Sequence, residues 1–400
     1  MAIALALVGC GGMGRRHVLG MGKLKAAGRL AFDLTAVCDV LPDNARAAAD
    51  RAEEVLGRRP QIFTDFEALM QNRSVEAIIV TTTPETHAEI ALRAFAAGID
   101  VMVEKPIALT VPDGLRLVAG ARAAGRKLAV AENYRRDPIN RLAKALVDSG
   151  AVGRPFLATQ ATSSSGEFVI ITPWRHRRDR GGIVIDMGVH YTDLLEYYLG
   201  PIDSVFGMNS IVDTERIDAL GARHPADAED LSVGVMRFRS GAIANWSLSL
   251  AGRGEPSFTR ALYGKGGSLA IPSDRSGKAL SVFQRRAGAD VPVPEDELLR
   301  LAPDFALDAT TAALFGGERL TSYDLPWTDI DANLLGIEQA DFAEAIASNR
   351  EPEVSGEQGL RSLALVVGLL ESEQLGHALT MAEMLRQPGS RAGNETEAVA

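Results

Sequence analysis

Hydrophobic and polar positions change their rhythm once along this chain. Over the first 131 residues, short apolar runs alternate with helical patterns. "IALALVG", "LTAVCD", "VEAIIVTTT", "IDVMVEK" and "KLAVAEN" each read as a strand, because apolar runs of this length suit strands covered on both faces. In "PETHAEIALRAFAAG", Ile90, Ala94 and Phe95 share one helical face. Thr83 suits the cap of that helix, Pro84 its first position and Gly98 its end. Strands alternating with helices predict a parallel sheet, and right-handed crossovers make it doubly wound.

Beyond about residue 150 the pattern shortens to a period of two. "GAIANWSLSL" puts Ala242, Ala244, Trp246, Leu248 and Leu250 on one face and Asn245, Ser247 and Ser249 on the other. "DLSVGVMRFR" precedes it across a Ser240-Gly241 turn, which predicts a hairpin. "PFLATQATSS" and "IDSVFGMNSIVD" read as further strands of a sheet covered on one face. Near the end, Leu360, Leu363, Val367 and Leu370 recur at helical spacing, and Ser355 with Gln358 fits a capping box. No element is predicted over residues 272–328, and there is no internal repeat. The expected class is α/β: a doubly wound parallel sheet over 1–131, then a second α/β domain with an open, mostly antiparallel sheet over 132–384. The helix at about 356–376 is expected to pack back on the first domain, and residues 385–400 to form a disordered tail.

The totals narrow the function classes. Four hundred residues exceed what one hydrophobic core usually serves, so two domains are the default. A formal charge of −10 argues against general nucleic-acid binding, which needs a basic footprint. "LVGC" (7–10) imitates a lipoprotein cleavage box, but no Lys or Arg precedes Cys10 and the apolar run is short. No stretch approaches the roughly 20 apolar residues that span a bilayer. Two cysteines, Cys10 and Cys38, are too few for a disulfide framework. The expectation is a cytoplasmic protein with a small-molecule partner and neither nucleic acid nor membrane.

Three features carry chemistry. "LALVGCGGMGRRH" sets Gly9-x-Gly11-x-x-Gly14 between a strand and a helix, where glycines allow a pyrophosphate to approach the helix amino end. Asp39 ends the second strand; a carboxylate there accepts from a ribose diol and repels a 2′-phosphate, favouring NAD over NADP. "GGIVIDMGVHYTDLLEYYLG" places Asp186 and His190 four residues apart, on one helical face. They fit a proton-handling pair or a helix surface pair; without further ligands, no metal is expected. Ahead of them "PWRHRRDRGG" is a basic loop that reads as a solvated face, as a seat for a substrate anion, or as a Trp174-Arg175 pair pressing on a cofactor ring.

These pieces together resemble the Gfo/Idh/MocA family of NAD(P)-dependent oxidoreductases. The resemblance rests on "GCGGMG" (9–14), "TTTPETH" (81–87), "EKP" (104–106), "ENYRRDP" (132–138), "WR" (174–175), "DMGVHYTD" (186–193) and "SGEQGLRSLALV" (355–366). It implies an amino-terminal Rossmann domain and a carboxy-terminal sheet that serves as the contact of a homo-dimer or homo-tetramer. It implies a cis peptide before Pro106, and Lys105, Asp186 and His190 as the catalytic set. The cofactor residues carried over are Gly9, Gly11, Gly12, Met13, Gly14, Asp39, Thr82, His87, Glu104, Lys105, Asn133, Trp174 and Arg175. Tyr134 and Asp193 join Lys105, Asp186 and His190 as substrate contacts. The implied reaction is oxidation of a ring secondary hydroxyl of a sugar, glycoside or cyclitol. In it His190 takes the proton and Lys105 stabilises the alkoxide, or Lys105 is itself the acceptor. Two alternatives stand beside it: an NAD-using glycosidase-type relative with transient ring oxidation, and a non-catalytic dinucleotide-binding sensor.

Overall fold

The structure, a computed structural model, describes residues 2–72 and 74–386. The amino-terminal part alternates β1 (Ile3–Val8), α1 (Gly12–Ala26), β2 (Phe32–Cys38), α2 (Pro42–Leu56), β3 (Gln61–Phe63), α3 (Phe66–Met70), β4 (Ala77–Val80), α4 (Pro84–Ala96), β5 (Asp100–Glu104), α5 (Val111–Ala124) and β6 (Leu128–Ala131). The strands lie in the order β3-β2-β1-β4-β5-β6, every neighbouring pair parallel. Strand β3 has only three residues, too few to show a pattern in the sequence. Thr83 stands at the amino end of α4, but its hydroxyl donates to Glu85 Oε1 at 2.8 Å instead of capping a backbone N–H. The chain runs outward from β1 on one side and returns to leave through β4 on the other. Their carboxyl ends therefore border a crevice, where ligands of open α/β sheets bind.

The second part holds α6 (Pro138–Asp148), β7 (Pro155–Ser165), α7 (Ile183–Leu199), β8 (Ile202–Ser210), β9 (Glu215–Ile217), β10 (Arg223–Pro225), β11 (Leu231–Phe238), β12 (Ile243–Gly252), β13 (Ser257–Gly264), β14 (Gly267–Ile271), β15 (Ser281–Arg286) and β16 (Ala289–Val293). After these come α8 (Leu298–Leu301), α9 (Ala309–Phe315), α10 (Trp327–Ser348), α11 (Gly356–Leu375), β17 (Leu379–Thr380) and α12 (Met381–Met384). Nine strands form one open sheet, β16-β15-β14-β13-β7-β12-β11-β8-β17. Among the described residues of this sheet, β7 and β12 alone pair in parallel. The expected hairpin is β11–β12, with Leu231 opposite Ser249 and Arg237 opposite Ile243. Its even positions, Ala244 to Leu250, are buried against α7 and α11, as the period of two requires.

Residues 272–328, where the sequence predicts no element, contain β15, β16, α8 and α9. The two strands are short, with Val282 and Val293 their only buried residues, and β16 forms the sheet edge, so neither run is long enough to show a period. Two helices of the second part pack on the first. Helix α10 lies on α1 where two glycines meet: a Cβ on Gly20 would stand 2.9 Å from the Gly336 nitrogen. Helix α11 opens with the Ser355–Gln358 capping box and touches α7 and β8 as well as α5 and β6. The preceding residue, Val354, accepts from the Val130 N–H at 2.9 Å. One hydrophobic core accordingly runs from Val103 and Val130 through Val189 and Trp246 to Leu365. Residues 387–400, most of the expected tail, lie outside the described residues.

Candidate functional site

The crevice is built first by its glycines. Gly9 has φ +92°, and a Cβ on it would lie 2.7 Å from both Thr81 C and Thr82 N, so only glycine lets β1 turn against the end of β4. Gly14 is closed too: a Cβ on it would run into the Gly9 carbonyl oxygen. Gly11 and Gly12 are the reverse: a Cβ on either meets nothing within 4 Å. They form the amino end of α1, whose first N–H groups have no capping side chain. Asp39 reaches across from β2, accepting from Cys10 N at 2.7 Å and Leu41 N at 2.8 Å. Its oxygens keep lone pairs for a further donor. Met13 lies behind the loop, where its Sδ accepts from Arg16 Nη1 at 3.4 Å.

At the carboxyl ends of β4 and β5 the side chains support one another. His87 is fully buried, with Nδ1 3.1 Å from Pro106 O and Nε2 3.2 Å from Thr82 O. Burial pulls its imidazole below the ordinary range. A neutral imidazole has one N–H, so His87 donates to only one of these carbonyls and sits buried in the joint between the two loops. The Thr82 hydroxyl accepts from Thr86 Oγ1 at 2.7 Å.

Glu104 also points inward. Its Oε1 takes a hydrogen bond from His17 Nε2 at 2.9 Å, and its Oε2 accepts from Lys105 N at 3.1 Å. Burial pushes this carboxyl up, but His17, Lys105 and Arg16 outweigh it and hold it below the usual range. Behind it, Glu338 is fully buried with neither oxygen hydrogen-bonded. Burial, then the Glu104 charge, pushes the Glu338 carboxyl well above the ordinary range. His17 Nδ1 accepts from Gln339 Nε2 at 3.0 Å, which leaves Nε2 as the donor to Glu104. Ligand atoms of His17, Glu104 and Glu338 lie within 4.8 Å of one another, and the cluster buttresses the end of β5. Glu104 thus anchors the strand end through His17 and the Lys105 N–H.

Lys105 turns the other way. Its peptide to Pro106 is cis, and its Nζ donates to Asp186 Oδ1 at 3.0 Å and Asp186 O at 2.9 Å. Arg175 Nε donates to the other oxygen, Oδ2, at 3.2 Å, and its guanidinium stacks 4.4 Å from the centre of the Trp174 ring. Burial alone would raise the Asp186 carboxyl; Lys105 and Arg175 bring it down to about 2. One turn along α7, the buried His190 has Nδ1 2.8 Å from both oxygens of Glu132. Its ring stacks on Tyr134 at 3.9 Å and 5°. Lys105, Asp186, His190 and the Trp174-Arg175 pair therefore come from three separate segments to one place.

Two expected substrate contacts go elsewhere. Asp193 is buried in a two-pronged pair with Arg135, at 2.8 and 2.5 Å, so it braces α7 against the loop after β6. The Tyr134 hydroxyl is turned to Arg275 Nη2 at 3.0 Å; only its ring serves the site, under His190. The basic loop is not a free anion seat either. Arg177 faces Asp179 and Asp227, Arg178 faces Glu229, and Arg180 pairs with Glu85. Glu132 and Arg275 are the site residues the sequence reading missed. Glu132 had a signal, since it closes β6 with a charge as Glu104 closes β5; Arg275 had none.

The residues fit a dinucleotide on two observations: the open side of Gly11 and Gly12, and the buried Asn133 Oδ1, which has no partner. Fold and crevice define a dinucleotide-binding class. Residues 3–132 match the oxidoreductase family with an NAD-binding Rossmann fold, GFO_IDH_MocA, and residues 140–270 match the GFO/IDH/MocA C-terminal domain. The chain belongs to this family of NAD-dependent oxidoreductases. It is 26% identical to D-apiose dehydrogenase of Paraburkholderia graminis over 94% of this chain and 89% of that one. With 1,5-anhydro-D-fructose reductase of Ensifer adhaerens it shares 27% over 83% and 87%. A levoglucosan dehydrogenase in complex with NADH and levoglucosan has the same fold, with a TM-score of 0.78 and 21% identity over 95% of this chain and 100% of that one. Among the described residues no helix is long and apolar enough to cross a membrane.

Proposed function

We propose that the protein oxidises a ring secondary hydroxyl of a sugar, glycoside or cyclitol to a ketone. The observation that carries this reading is the meeting of Lys105, Asp186 and His190 at the carboxyl end of β5, beside a cradle left open at Gly11 and Gly12. The names of the relatives, dehydrogenases and reductases of apiose, anhydrofructose and inositol, support the substrate class. Bound in the crevice, nicotinamide supplies the hydride acceptor. With two protons donated to Asp186, the Lys105 ammonium keeps a third for the substrate oxygen, where it lowers the cost of the developing alkoxide. Asp186, held ionised, fixes Lys105 and Arg175 in place. His190 accepts the hydroxyl proton, and Asn133 with the α1 amino end orients the cofactor. Asp39, in place to accept from a ribose diol, favours NAD over NADP.

A screen for NAD reduction across sugars, glycosides and inositols tests this. Stoichiometric NADH with the carbon skeleton intact supports it. Bond cleavage without net NADH would favour the glycosidase-type reading, and NAD binding with no turnover the sensor.

We further propose self-association through the outer face of the nine-stranded sheet. Met208 lies opposite Val233 and Phe206 opposite Val235, and Met208, Val233 and Val235 are 60, 46 and 50% exposed. An apolar ladder of this kind normally has a cover. Val235→Lys should convert an oligomer to monomer in sedimentation; an unchanged mass rejects this interface.

A further inference from the structure

Resting on the proposed dehydrogenase reading, we infer that Glu132 is the positioning residue that sets which nitrogen of His190 accepts the proton. Neutral imidazole carries one proton and offers one lone pair, so its two nitrogens cannot both serve as base. The Glu132 carboxylate lies 2.8 Å from Nδ1 through both oxygens. It also accepts the Tyr134 N–H at 2.9 Å through Oε1. Burial pushes the Glu132 carboxyl up, but its hydrogen-bonded neighbours His190 and the Tyr134 N–H, with the Lys105 ammonium, outweigh this and hold it below the ordinary range. An ionised carboxylate can only accept, so Nδ1 carries the ring proton and Nε2 presents the lone pair.

The rest of the surroundings constrain the ring without competing for either nitrogen. Tyr134 lies flat against it at 3.9 Å. Its hydroxyl is tied to Arg275, which bonds in turn to Asp331 at 3.0 Å. The other charged groups near the ring, Asp186 and Lys105, are bonded to each other. When the substrate hydroxyl gives its proton to Nε2, the Nδ1 proton stays on the ring, and the imidazolium charge is balanced by Glu132, which takes up no proton. The logic is that of a carboxylate behind a catalytic histidine, where loss of the acceptor leaves the wrong tautomer.

The experiment uses the full chain with Glu132→Gln and Glu132→Asp. The amide introduced by Glu132→Gln can donate to Nδ1, which would move the ring proton to Nε2. Nitrogen-15 NMR, with the His190 signals assigned by loss in His190→Asn, should find the neutral ring protonated on Nδ1 in the parent. In Glu132→Gln the proton should move to Nε2. On a sugar substrate identified by the screen, kcat should fall by about 10²- to 10⁴-fold with NAD affinity and KM within about threefold. Glu132→Asp should recover at least tenfold of that loss. A parent ring protonated on Nε2, or a Glu132→Gln variant with full kcat, overturns the inference. Absence of turnover by the parent on every polyol would instead sink the dehydrogenase reading, and the NMR result would still decide the tautomer. If Glu132→Gln does not fold, Glu132→Asp carries both measurements, with a weaker Nδ1–H signal and a smaller kcat loss expected and no change in either overturning the inference.

Discussion

Two alanine substitutions, three residues apart in one loop, should have opposite consequences. At Gly9, φ +92° is a conformation that L side chains rarely adopt, and the new Cβ would stand 2.7 Å from Thr81 C and Thr82 N. Both atoms are backbone at the end of β4, so neither can swing aside. Backbone strain costs about 1–3 kcal/mol, and overpacking against fixed atoms adds about 1–3 kcal/mol. Gly9→Ala should therefore lose about 2–6 kcal/mol, a large part of the roughly 5–15 kcal/mol typical of a folded protein. At Gly12 the Cβ meets no atom within 4 Å. Because the residue opens α1, alanine there should hold stability level or raise it by up to about 1 kcal/mol. Yet the methyl would occupy the space assigned to the pyrophosphate, so NAD affinity should fall at least about tenfold, equivalent to about 1.4 kcal/mol. Urea unfolding and calorimetric NAD titration measure the two effects separately. If Gly12→Ala binds NAD as tightly as the parent, the cradle is not where the cofactor sits. A Gly9→Ala protein of undiminished stability would refute the packing argument.

Lys105→Met should reduce kcat by about 10²–10³-fold, the scale for removing one preorganised donor to a developing oxyanion, while calorimetry finds NAD binding within about threefold of the parent. Asp39→Ala removes the acceptor for Cys10 N and Leu41 N, so both cofactors should bind more weakly. The NAD:NADP preference should still fall by about tenfold or more, and an unchanged ratio would remove Asp39 from the ribose contact. Glu338→Gln tests the buried acid. Its folded pKa is raised by burial, so the parent loses stability as pH rises above the unfolded value of about 4.3, where only the unfolded chain releases the proton. The amide cannot titrate. In urea denaturation from pH 4 to 7 the variant should therefore gain on the parent with rising pH, and parallel curves would show that Glu338 is ionised in the native state.

Much of the site was legible because its chemistry is local. The glycine spacing, the charged ends of the β2 and β5 strands and the i, i+4 pair on α7 are each written within a few residues, and periodicity alone separates a parallel sheet from an antiparallel one. Family resemblance supplied Lys105, which composition and spacing could not have assigned. What the sequence could not give is direction. Glu104 and Lys105 are neighbours, yet the strand pleat sends one into the buried His17–Glu338 cluster and the other to Asp186. The same holds for His87, Asp193 and Tyr134, whose polar atoms face Pro106 and Thr82, Arg135 and Arg275.

The chain by itself determined most strands of the two sheets, the change of sheet type near residue 150 and the order of the chemical groups along it. Tertiary structure alone decided which of those groups are free. It brought Glu132 to His190 across 58 residues and laid α10, absent from the periodic reading, on α1. It also matched each arginine of the 175–180 loop with a carboxylate. The physical reason is that burying a charge requires a partner wherever one exists in space, and the sequence specifies the need for that partner without specifying its address.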